Sequence, residues 1–136
     1  MPLANPYSKY RQAAVSTADP GELLILTYEA ILRWINRAKV AIQEERIGDA
    51  HEALLNAQTL VSNLSASLDD TRGPEIAENL RNIYEYVNDR LLWANLQKDA
   101  SILDTVSELL RPLLEAWRSA VTQTRRSGIL PAIATN

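Results

Sequence analysis

Cysteine and phenylalanine are absent from this chain of 136 residues, and histidine and methionine occur once each. Without cysteine there is no disulfide, no thiolate nucleophile and no zinc–thiolate site, a usage that suits a reducing compartment. Glycine and proline are also scarce, at 4 and 6 residues, and most stand where periodic segments start or stop. No apolar run approaches the length of a membrane span, and Met1-Pro2-Leu3-Ala4-Asn5-Pro6-Tyr7 has neither the basic start nor the apolar stretch of a secretion signal. Positive charge is short too. With 14 Lys+Arg against 17 Asp+Glu, the net charge of −3 leaves no basic stripe to neutralise phosphates, and Arg125-Arg126 is too brief to supply one. These absences predict a soluble, cytoplasmic protein with no nucleic-acid partner and no membrane insertion.

What is present is enough for one domain with a real core: 46% of residues are hydrophobic and 23% charged. Asp19-Pro20-Gly21-Glu22 reads as a helix start, with Asp19 as cap, Pro20 at the first helical position and Glu22 placed to complete a capping box. Gly48-Asp49 reads as a helix end followed by a new cap; Gly73-Pro74-Glu75 and Ser101-Ile102-Leu103-Asp104 supply two further starts. Between them, apolar residues recur at alternating steps of four and three, the helical period. The first helix carries Leu24, Tyr28, Ile31, Ile35, Ala38 and Ile42, and the second Ala50, Leu54, Ala57, Val61, Leu64 and Leu68. The third carries Ala77, Leu80, Tyr84, Val87, Leu91 and Ala94, and the fourth Ile102, Val106, Leu109, Leu113, Ala116 and Ala120. Four comparable helices joined by short loops must alternate direction. The expected fold is all-α: an antiparallel up-down four-helix bundle over residues 19–126, with a short N-terminal arm over 1–18 and a flexible tail over 127–136.

Pro112 lies inside the fourth stripe, where it removes a backbone donor at a cost of about 3 kcal/mol, so a bend is expected in a helix that otherwise continues in phase.

The same scaffold serves carboxylate-bridged di-metal enzymes, which need Glu from two helices and Glu-x-x-His from two more. The sole histidine, His51, has no Glu three residues before it and suits a solvated or capping role. Glu44-Glu45 and Asp69-Asp70 are neighbours whose side chains point about 100° apart on a helix, too divergent to share a substrate atom. There is no glycine-rich phosphate loop and no nucleophile elbow. Neither an enzymatic activity nor a cofactor or metal is expected, which leaves binding.

The third and fourth helices carry more apolar residues than one seam requires. Asn79, Ile83, Tyr86, Arg90 and Trp93 form a second stripe on the third, and Leu103, Leu110, Leu114, Trp117 and Val121 one on the fourth. Tyr86 and Trp93 fall far from the seam and would be exposed aromatics, a candidate interface. Before the bundle, Asn5-Pro6-Tyr7-Ser8-Lys9-Tyr10 carries two tyrosines that could form a flap over such a surface. The extra stripes also suit a second use, a helical oligomerisation or adaptor module.

At these residues the chain resembles the FliS family of flagellin-specific secretion chaperones. The resemblance rests on Asn5-Pro6-Tyr7 with Tyr10, on Thr17-Ala18-Asp19-Pro20-Gly21-Glu22-Leu23-Leu24, and on Tyr28-Glu29-Ala30. It continues through Ile76-Ala77-Glu78-Asn79-Leu80 with Tyr84 and Tyr86, Arg90-Leu91 with Ala94-Asn95, and Ala116-Trp117. Pro74 and Pro112 depart from the family's pattern. The resemblance implies a cytosolic export chaperone that binds the disordered C-terminal segment of flagellin, one chain to one, prevents early polymerisation and aids delivery to the flagellar type III export apparatus. It implies Tyr7, Tyr10, Asn79, Tyr84, Asn95 and Trp117 as client contacts, beside Ile83, Tyr86, Trp93, Leu110 and Leu114 from the second stripes.

Overall fold

The computed structural model describes residues 19–127. The arm expected over 1–18, with Tyr7 and Tyr10, lies outside the described residues, as does all of the expected tail beyond Ser127. Four helices follow one another: α1 Pro20–Gln43, α2 Ile47–Ala66, α3 Pro74–Gln97 and α4 Ala100–Ser127. Each packs on its neighbours in the order α1–α2–α3–α4 and back to α1, the ring of an antiparallel up-down bundle. Among the described residues no helix is long and apolar enough to cross a membrane.

The helix ends follow local chemistry. Asp19 caps α1, its carboxylate accepting the Glu22 N–H at 2.7 Å, and Pro20 takes the first helical position. Glu22 does not close the capping box; its carboxylate pairs with Arg125 on α4 instead. The expected stop at Gly48 is corrected. The residue that turns left-handed is Glu45, at φ 60°, and the amides of Glu45 and Arg46 return to the carbonyls of Ile42 and Ala41 at 3.1 and 2.8 Å. Those two bonds form a Schellman closure, so Gly48 falls inside α2. Lys98, also left-handed, ends α3, and Asp99 accepts the Ser101 N–H at 2.9 Å to start α4.

On the first three helices the predicted stripes form the core. Tyr28, Ile31, Ile35 and Ala38 of α1, Ala50 through Leu64 of the α2 stripe, and all six residues of the α3 stripe are buried. On α4 the two stripes exchange roles. Leu103, Leu110, Leu114 and Val121, expected on the outer stripe, are buried with Val106, whereas Ile102, Leu109, Leu113 and Ala120 are half-buried and Ala116 is exposed. The reason is rotational. The bulkier Leu103–Leu110–Leu114–Val121 line turns inward, and in that rotation Asp104, Arg118 and Arg125 of α4 pair with Lys39, Glu29 and Glu22 of α1.

Pro112 leaves α4 unbroken from Ala100 to Ser127. Pro112 and Glu108 are both exposed, so water reaches the Glu108 carbonyl that the missing N–H leaves unpaired. Close packing also explains one glycine. A Cβ built on Gly21 would stand 2.8 Å from Cγ2 of Val121, so only glycine lets the last turns of α4 approach the start of α1.

Candidate functional site

The predicted site residues separate into three environments. Tyr84, Leu110 and Leu114 belong to the core, with 2%, 1% and 5% of their surface exposed. The expectation that Leu110 and Leu114 present a surface to a client is therefore corrected: both pack in the core with Leu103 and Val106, where burial of their side chains is favourable. The Tyr84 hydroxyl is shared with that of Tyr28, at 2.7 Å. Burial drives the pKa of both phenols up, and for Tyr28 the hydrogen bond from Tyr84 offsets part of the rise. Trp117 is half-buried and packs edge-on against Tyr28, ring centroids 6.5 Å apart. Its indole N–H lies near the Tyr28 hydroxyl, yet no hydrogen bond closes and the nitrogen is buried without a partner.

Asn95 occupies a second environment, buried between α2 and α3. Its side-chain amide nitrogen meets Nδ1 of His51 at 2.9 Å, and its side-chain oxygen accepts from Nζ of Lys98 at 2.7 Å. Both polar ends are thus engaged within the bundle. His51 is exposed and serves as the other half of this tie.

The third environment is the outer flank of α3. Asn88 and Asn95 reach Ser62 and His51 of α2 and so mark the side of α3 that adjoins α2. At 100° per residue, Ile83 and Arg90 fall on the opposite side, next to α4, with Asn79, Tyr86 and Trp93 one step further out. Asn79 is exposed and Ile83 half-buried, while Tyr86 and Trp93 are 51% and 41% exposed. The facing flank of α4 is set by the same geometry. Since Asp104, Arg118 and Arg125 turn to α1, the half-buried Ile102, Leu109 and Leu113 turn to α3. α3 and α4 pack against each other more sparsely than any other neighbouring pair. Together these residues form a half-buried apolar strip on the α3–α4 side of the bundle, with Tyr86 and Trp93 as its exposed aromatic edge.

Sequence reasoning missed Leu109 and Leu113 as strip residues because it had placed them in the seam. The signal that distinguishes the two stripes was present in the charges: acidic and basic positions on the fourth helix complement Lys39, Glu29 and Glu22 on the first. Among the described residues no group of three or more His, Cys, Asp or Glu side chains could hold a metal ion.

The comparisons with known proteins bear on this arrangement. The family model described as flagellar protein FliS matches residues 3–124. The chain belongs to the FliS family. The flagellar secretion chaperone FliS of Bacillus subtilis is 32% identical over 126 residues, covering 93% of this chain and 93% of the relative. FliS of Salmonella typhimurium is 35% identical, covering 79% and 80%, and FliSB of Pseudomonas aeruginosa 36%, covering 78% and 84%. A solved structure described as a flagellar chaperone from bacteria superposes with a TM-score of 0.73 at 16% identity, over 86% of this chain and 95% of the other. That likeness shows that the two chains share this helical fold.

Proposed function

We propose that the protein is a cytosolic flagellar export chaperone that binds the disordered C-terminal region of flagellin along the strip between α3 and α4. The observation that carries this reading is the exposed pair Tyr86 and Trp93 beside Ile83, Leu109 and Leu113, in a chain whose relatives bear the name flagellar secretion chaperone. Flagellin's apolar C-terminal residues, which must later pack the filament, are covered meanwhile by apolar chaperone surface, so that polymerisation waits for export. The chemistry needed is burial and hydrogen bonding, with no catalysed step and no cofactor. Part of the binding energy orders the client, which keeps the complex releasable. Tyr7 and Tyr10 are assigned to an arm near this surface, Asn79 to pairing with client backbone, and delivery to the export apparatus follows with the client bound.

Calorimetric titration with a flagellin C-terminal peptide tests the reading. Saturable heat at one peptide per chain, with a gain of helix in circular dichroism, is the expected result; no heat across the micromolar range would reject it. A second reading, self-association, draws on Leu55, Leu92 and Leu96, exposed on α2 and α3 away from the strip. Sedimentation separates the two, because a client surface leaves the free chain monomeric.

A further inference from the structure

A second apolar surface lies across the junction of α2 and α3. Two hydrogen bonds fix the register there: the Asn95 side-chain nitrogen meets Nδ1 of His51 at 2.9 Å, and that of Asn88 donates to the Ser62 hydroxyl at 3.0 Å. Helical spacing from these residues places Leu55 one turn after His51, Leu92 between Asn88 and Asn95, and Leu96 one turn after Leu92, so all three border the junction. Each is exposed, and Leu96, at 67%, is the most exposed large apolar residue among those described. Ile47, one turn before His51, is exposed at the head of the same line. The charge beside them has one sign. Glu52 stands three residues before Leu55 and Glu85 two turns before Leu92; both are exposed, and neither forms an ion pair among the described residues. The nearby cations are already engaged, Arg46 with Glu44 and Asp49, Arg81 with Asp70, and Lys98 with the main-chain and side-chain oxygens of Asn95.

From this we infer that the α2–α3 face is a docking surface for a partner protein that presents a basic amphipathic helix. The helix lays its apolar side on Leu55, Leu92 and Leu96 and sets its lysines or arginines beside Glu52 and Glu85. This is a second surface, beyond the client reading and independent of it. Shape selects a helix: the described residues offer no free strand edge, and Leu92 and Leu96, one turn apart beside Leu55, form a ridge of the kind against which helices pack. Charge selects its sign and argues against a second copy. Two-fold pairing of this face would bring Glu52 and Glu85 against the same acidic margin with no cation free to answer them, whereas a basic helix neutralises that margin and is steered by it.

The test titrates the full chain, alone and with flagellin C-terminal peptide added, with a labelled synthetic helix of about 18 residues that has leucines along one face and lysines beside them. A second peptide carries glutamate in place of every lysine. Expected are saturable binding of the lysine peptide under both conditions and no binding of the glutamate peptide. Leu96→Ser should weaken the lysine peptide about tenfold, and Glu52→Gln with Glu85→Gln should weaken it strongly at low salt and little at high salt. Leu26→Ser, at an exposed position on α1, should leave the affinity unchanged. Thermal melts confirm the fold of each variant. Absence of binding, equal binding of the two peptides, or an unchanged affinity in Leu96→Ser would overturn the proposal. Displacement of the lysine peptide by the flagellin peptide would overturn it in favour of the client, and a dimer in sedimentation that Leu96→Ser dissolves would overturn it in favour of a second copy. Should the flagellin peptide itself not bind, the client reading falls and the titrations of the chain alone still decide this one.

Discussion

The hydroxyls of Tyr28 on α1 and Tyr84 on α3 meet at 2.7 Å across the centre of the bundle, joining two helices that are not neighbours in the ring. The rings stand edge-on at 6.3 Å and are almost wholly buried, so each hydroxyl depends on the other for a partner.

Replacing Tyr84 by Phe strands the Tyr28 hydroxyl in the core. A loss of about 1–3 kcal/mol is expected in urea unfolding, and the Tyr28→Phe, Tyr84→Phe double variant should cost less than the sum of its parts. The pair also sets an alkaline limit. Because burial raises both pKa values in the folded state, their contribution is fully present below the unfolded tyrosine value of about 10 and is lost as pH rises above it. The double variant should therefore lose stability less steeply above pH 10, which melts across pH 8–11 will show.

At the junction of α1 and α4, Gly21→Ala places a methyl against Cγ2 of the stiff, buried Val121. Alanine is otherwise the better helix former, so the clash must exceed a gain of about 1 kcal/mol to be seen. With overpacking at about 1–3 kcal/mol, a net destabilisation of about 1 kcal/mol is expected. Introduced beside Val121→Ala, the same change should be neutral or stabilising, a double-mutant comparison that isolates the contact.

Acid acts through the Asp99 cap of α4 and the Asp69 turn before α3. The Ser101 hydroxyl and backbone N–H hold the Asp99 carboxyl below its ordinary value, and the Thr71 hydroxyl and N–H do the same for Asp69. Their stabilisation is present above the unfolded aspartate value of about 4 and is lost as pH falls below it. Asp99→Ala should lower the melting temperature at pH 7 and converge on the unsubstituted protein near pH 2.

Two substitutions separate core from site. Leu114→Ala opens a cavity beneath α4 and should cost about 2–5 kcal/mol. Trp93→Ala touches an exposed ring and should leave stability within about 0.5 kcal/mol while weakening flagellin-peptide binding about tenfold or more. Melts and titrations of both variants give the comparison.

Helix type and order were legible because the apolar period held over α1 to α3 and the starts at Asp19-Pro20 and Gly73-Pro74 agreed with it. Every residue of the predicted α3 stripe is buried, and Asp19 caps α1 as its position implied. Rotation of α4 was not legible from apolar spacing, since two apolar stripes about a quarter-turn apart had similar claims to the core. The bulkier line is the buried one, and the long-range ion pairs to α1 accompany that rotation. The α1–α2 turn was misplaced because the left-handed position is held by Glu45, a residue with no special preference for it, while Gly48 offered a false signal. Of the client residues, the aromatic rim could be read from its distance to the seam. The engagement of Asn95 with His51 and Lys98 could not, for it joins residues on different elements.

The central claim is that flagellin's C-terminal segment lies along the α3–α4 strip, and site-directed photo-crosslinking addresses it most directly. A benzophenone amino acid placed singly at positions 86 and 93 should attach to a bound flagellin C-terminal peptide under light, at a yield well above that of position 47 on α2. Equal or weaker attachment at 86 and 93, with peptide shown to be bound, would contradict the claim.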